Sequence, residues 1–161
     1  MSLRIAVIGV GHLGRHHARI LSTLPGANLV AVVDTNQPRA REIAAAHGVE
    51  HAFDHREVLG RVDAVTIAVP TELHSEIAMP FLQAGVPVLV EKPMARGLAE
   101  ADAMIAAAAK AGTRLAVGHT ERFNPAVDAG KTLMIDGEAI VHAADEAGVC
   151  IVGRGSATNA P

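Results

Sequence analysis

Three glycines stand at the first, third and sixth positions of Gly9-Val10-Gly11-His12-Leu13-Gly14, followed about twenty residues later by the carboxylate of Asp34. A sharp turn at Gly9, bare backbone at Gly11 and close helix packing at Gly14 would let a pyrophosphate lie against the main chain. The first turn of the following helix would offer it free N–H groups and a partial positive charge. Asp34 stands where a carboxylate accepts hydrogen bonds from adenosine ribose hydroxyls. A second polar group closes two later apolar runs: Pro70-Thr71 with His74, and Glu91-Lys92-Pro93. A lysine in such a place is either a solvated loop residue or an acid that polarises a substrate.

These residues need strands that end at one edge and helices that return the chain. Ile5 to Ile8 reads as a buried strand. After it, Leu13, His17, Ile20, Leu21 and Leu24 keep helical spacing until Pro25-Gly26. Leu29 to Val33 is a second buried strand, and Gln37 to His47 a helix with Ala40, Ile43 and Ala44 inward, closed by Gly48. Val49 to Phe53 reads as extended, and Asp54 caps a short helical turn reaching Gly60. Val62 to Val69 is the next strand, and Glu72 to Ala84 a helix with Leu73, Ile77, Phe81 and Ala84 inward. Pro87 to Val90 and Arg114 to Val117 are strands flanking a helix over Leu98 to Ala111, with Leu98, Ala101, Ile105, Ala108 and Ala109 inward. Strands alternating with helices of this length predict an α/β fold, a doubly wound parallel sheet in the Rossmann order 3-2-1-4-5-6.

Composition narrows the function classes. The 161 residues carry a net charge of -3 with the charges dispersed, which argues against a nucleic-acid partner or an anionic membrane surface. No apolar run is long enough to span a bilayer, and Met1 to Arg4 leads straight into the first strand without a signal-peptide pattern. The single cysteine, Cys150, gives no intrachain disulfide and fits a reducing cytoplasmic setting. Its apolar flanks read as a strand. The nine histidines are scattered, and neighbours such as His16 and His17 point about 100° apart on a helix, so no metal site is expected.

From about Leu3 to Val127 the chain resembles the Gfo/Idh/MocA family of oxidoreductases. The glycine turn with Asp34 is common to many Rossmann proteins. More specific are Val69-Pro70-Thr71-Glu72-Leu73-His74 and Ala84-Gly85-Val86-Pro87-Val88-Leu89-Val90-Glu91-Lys92-Pro93, whose Glu-Lys-Pro is the family's signature. Gly118 to Val127 is similar to members that act on nucleotide sugars, particularly at the third carbon of an amino-sugar ring. The resemblance implies a nicotinamide cofactor held by Gly9, Gly11, His12, Leu13, Gly14, Asp34, Pro70, Thr71, His74, Glu91 and Lys92. It makes Lys92 the catalytic-site lysine beside the hydroxyl being oxidised, and allows a cis bond before Pro93 that would aim it. Arg122 would meet substrate phosphate or hydroxyls, or else be a surface cation. Asp34 favours NAD, because a 2′-phosphate would sit against its charge, and nearby Arg39 leaves NADP open.

The family's chains continue into a further α+β domain that binds substrate and supplies a general base. Residues 128–153 do not resemble the start of that domain, so the expected organisation is a cofactor domain over 1–127, a short strand-helix-strand segment over 128–153 and a disordered tail over 154–161. Residues 128–153 are similar instead to the carboxyl end of the lipid A pathway UDP-2,3-diacylglucosamine pyrophosphatase family. Three readings follow: a sugar or nucleotide-sugar dehydrogenase, a dinucleotide-binding module without turnover, and a fusion fragment. A missing second domain would leave an apolar patch that favours homo-oligomers.

Overall fold

The computed structural model of the chain describes residues 2–119 and 149–150. Seven parallel strands form one sheet: β1 Leu3–Ile8, β2 Ala27–Val33, β3 Glu50–Ala52, β4 Ala64–Ile67, β5 Val88–Glu91, β6 Leu115–Gly118 and β7 Val149–Cys150. Their order is β3-β2-β1-β4-β5-β6-β7. The expected 3-2-1-4-5-6 is therefore present, and Val149–Cys150 adds a seventh strand beside β6. The rest of the strand-helix-strand reading, the pyrophosphatase resemblance over most of its length, and Arg122 lie outside the described residues.

Among the described residues, four α-helices return the chain: α1 Gly14–Leu21, α2 Gln37–His47, α3 His74–Gln83 and α4 Leu98–Ala111. They cover both faces, which is why the central strands are apolar without alternation. Val7, Val32 and Leu29 pack with Ala18 of α1 and Ala44 of α2 on one face. Ala6, Ile8, Val65, Ile67, Val88, Val90 and Leu115 meet Phe81 and Leu82 of α3 and Met104 and Ala108 of α4 on the other.

The helices differ from the sequence reading where packing overrides hydrophobic spacing. α1 stops at Leu21, where the Ser22 and Thr23 hydroxyls bond to the Arg19 and Ile20 carbonyl oxygens at 2.9 and 3.2 Å. Leu13, Ile20 and Leu24 are about half exposed; Gly14 and Ala18 are the buried residues of α1, where Gly14 lets the helix start against the end of β1, and Leu21 packs part-buried beside them. A short 3₁₀ turn over Thr71–Leu73 precedes α3, which leaves Leu73 exposed, and Ala84 lies beyond the helix and is also exposed. In α4, Leu98 is 83% exposed and Ala109 faces outward, while Met104, absent from the expected inner face, is fully buried. β4 is shorter than the run from Val62 to Val69.

Candidate dinucleotide site

The turn after β1 separates three glycine roles. Gly9 has φ +82°, and a Cβ there would come 2.6 Å from the Ala68 carbonyl oxygen. Both facts demand glycine. At Gly14 a Cβ would lie 1.7 Å from the Gly9 carbonyl oxygen, so this glycine is what lets α1 start against the strand. At Gly11 the nearest atom a Cβ would meet is the Arg39 Nη1 at 3.7 Å. That space is open to a ligand. His12 and Leu13 are exposed at the entrance to α1, beside a first helix turn whose Arg15 and His16 N–H groups bond to the Gly11 and Leu13 carbonyl oxygens at 3.2 and 2.9 Å.

Asp34 follows the end of β2 and is largely buried. Its Oδ2 accepts the Val10 N–H at 3.0 Å and faces Arg39 Nη1 at 3.6 Å, and its Oδ1 accepts the Asn36 N–H at 2.8 Å. It thus holds the glycine turn, and a carboxylate's lone pairs leave capacity for ribose hydroxyls. A cleft of about 530 Å³ opens here, lined by Gly9, Gly11, Asp34, Asn36 and Arg39 on one wall and by Pro70, Leu73 and Ile77 on another. It lies at the carboxyl ends of β1, β2 and β4, the switch point where such sheets bind ligands.

The remaining predicted residues stand at the same sheet edge on the β4 and β5 side. Pro70 and Thr71 follow β4, and Lys92 is exposed directly after β5 with a cis Lys92–Pro93 peptide bond. His74 is 1% exposed, with Nδ1 3.0 Å from the Pro93 carbonyl oxygen and Nε2 2.9 Å from that of Val69. Its contribution in this structure is to hold two loops together. Glu91 is buried too: its Oε1 lies 3.0 Å from His17 Nε2, and its Oε2 accepts the Lys92 N–H at 3.3 Å. His17 Nδ1 in turn is 2.8 Å from Thr66 Oγ1. In sequence His17 stands among the apolar positions of its helix, and neither Thr66 nor Gly118, the residue opposite Glu91 in register, is singled out as a site residue. The available signals were a histidine on an inward helix face and a threonine within an apolar strand.

The sequence profile of the Gfo/Idh/MocA group, described as an oxidoreductase family with an NAD-binding Rossmann fold, matches residues 3–119. The chain belongs to the Gfo/Idh/MocA oxidoreductase family. UDP-N-acetylglucosamine 3-dehydrogenase of Acidithiobacillus ferrooxidans is 42% identical over 125 residues, covering 78% of this chain and 39% of that protein. Its solved structure superposes with a TM-score of 0.75 at 40% identity, covering 80% of this chain and 42% of the other. The 4-carboxy-2-hydroxymuconate-6-semialdehyde dehydrogenase of Sphingobium is 35% identical over 146 residues, covering 89% and 46%. The scyllo-inositol 2-dehydrogenase (NAD(+)) of Bacillus subtilis is 36% identical over 140 residues, covering 84% and 41%. The chain thus spans less than half the length of these Gfo/Idh/MocA relatives, and what it shares with them is the cofactor-binding fold.

Proposed function

We propose that this chain binds NAD through the turn after β1 and serves hydride transfer between the nicotinamide and a ring CH–OH of a sugar or nucleotide sugar. The observation that carries the reading is the division of labour among the glycines. Two are locked by packing and the third, Gly11, faces open space beside Asp34. Gly9, Gly11, His12, Leu13 and Gly14 would hold the pyrophosphate, Asp34 the ribose hydroxyls, and Pro70 and Thr71 the nicotinamide side. Bound NAD supplies the hydride acceptor. Lys92 polarises the substrate hydroxyl from the end of β5, with Glu91 and His74 setting its place. Asp34 disfavours a 2′-phosphate, and Arg39 is engaged with it. The sugar class is supported by the UDP-N-acetylglucosamine and scyllo-inositol dehydrogenases among the relatives. Arg122 remains a candidate substrate contact, and the exposed Leu13, Ile20 and Leu24 support self-association.

The test is NAD reduction by the purified chain across a panel of inositols and UDP-sugars. The expected result is NADH formation with at least one substrate, lost in Lys92→Ala. Silence across the panel would favour a second reading, a dinucleotide-binding module without turnover.

A further inference from the structure

Lys92 is exposed, yet the residues on either side of it are tied to buried or half-buried histidines from other elements. Pro93 is held by His74 through its carbonyl. Glu91 is held by His17, which reaches across from α1 to the end of β5. Gly118 makes room for this contact, since a Cβ there would come 3.0 Å from Glu91 Oε1. An ionised carboxylate can only accept, and that fixes the direction of both bonds to Glu91. His17 Nε2–H donates to Glu91 Oε1 and the Lys92 N–H donates to Glu91 Oε2, while the Thr66 hydroxyl, 2.8 Å from His17 Nδ1, donates to that nitrogen when the imidazole is neutral. A neutral imidazole satisfies both of its contacts in this one tautomer.

We propose that His17 is a positioning residue for Lys92, acting through Glu91: the Thr66-His17-Glu91 chain fixes the strand end from which the lysine projects. This rests on the reading of Lys92 as the group that polarises the substrate hydroxyl. A long, flexible side chain delivers its ammonium reproducibly only if its backbone is held, and a misplacement of about 1 Å at a reacting group can lower a rate by about a hundredfold. His17 leaves α1, whose first turn also carries the glycine loop, so one helix would set both the pyrophosphate cradle and the lysine. The nucleotide and the catalytic group would then share one rigid reference.

The test uses nitrogen-resolved NMR and amide hydrogen exchange on the full chain without cofactor. In the wild-type protein His17 should show the Nε2–H tautomer. The Nδ1–H tautomer would overturn the proposal without any variant being needed. His17→Gln keeps a donor at the Nε2 position, whereas His17→Asn reaches only the Nδ1 position. The Lys92 amide should exchange about tenfold faster in His17→Asn, stay within about twofold of wild type in His17→Gln, and leave the Val65 and Ile67 amides of β4 unchanged in both. Equal loosening of β4, or Gln behaving as Asn does, would reduce His17 to a general structural role and refute the proposal. NAD reduction by the wild-type chain and its loss in Lys92→Ala read the role of the lysine separately, so failure of that reading is distinguishable from failure of this one.

Discussion

At the scale of single residues, identical glycines in one turn serve different ends, and substitution separates them. Gly14→Ala drives a methyl into the Gly9 carbonyl oxygen, so the structure must shift, and a loss of about 3 kcal/mol in denaturant unfolding is expected. Gly11→Ala meets nothing closer than the end of the Arg39 side chain and should unfold like wild type, with NADH affinity reduced. Equal destabilisation of both would contradict the assignment. His74→Leu removes the partner of the Val69 and Pro93 carbonyls, and a cost of about 2 kcal/mol or more is expected by the same measurement. The glycines and Asp34 were legible because their spacing is local and each has one conformational job. The pairing of His17 with Glu91 was not. The two are separated by 74 positions, and nothing in either local sequence indicates the other.

At the scale of elements, the best-read helices are those with chemical punctuation. α2 begins at Asn36, whose side chain accepts the Arg39 N–H at 3.1 Å, and ends at Gly48 with φ +66°. α4 ends at Gly112 with φ +63°. α1 was over-extended because its apolar stripe continues past the residues that pack, and the closeness imposed by Gly14 is a tertiary fact. The turn over His55–Val58 was foreseen from its Asp54 cap, but its buried histidine was not. Burial pushes the His55 imidazole below its ordinary value of 6.5, partly offset by the Asp54 carboxylate 3.5 Å from Nδ1. The unfolded chain therefore binds the proton more readily, and stability should fall as pH drops below about 6.5. In His55→Phe, which keeps a ring near Phe81, that part of the acid-side decline in melting temperature should flatten. An unchanged slope would mean that His55 titrates alike in both states.

At the scale of the whole molecule, an all-parallel sheet sends every strand end to one edge, and the candidate residues gather there because they follow strands. The opposite edge is held by Arg4 and Asp63, joined by contacts at 2.7, 2.8 and 3.1 Å. Hydrogen bonds from the Arg4 side chain and N–H hold the Asp63 carboxyl down at about 2. Its contribution is present above the ordinary 3.8 and lost as pH falls toward about 2. Asp63→Asn should remove that part of the acid limb and leave NADH affinity at neutral pH unchanged. A change in affinity would show that the two edges are coupled. Alternation makes the sheet parallel and the glycine turn with Asp34 points to the order of a dinucleotide-binding fold, while the pairing of the seventh strand with β6 depends on a partner edge that sequence does not show.

A fluorescence titration of the chain with NADH decides whether the turn after β1 is a working dinucleotide site. Saturable binding, weaker for NADPH, reduced in Asp34→Ala and abolished in Gly11→Val, is the predicted result. A wild-type chain that melts cooperatively yet leaves NADH fluorescence unchanged would contradict it.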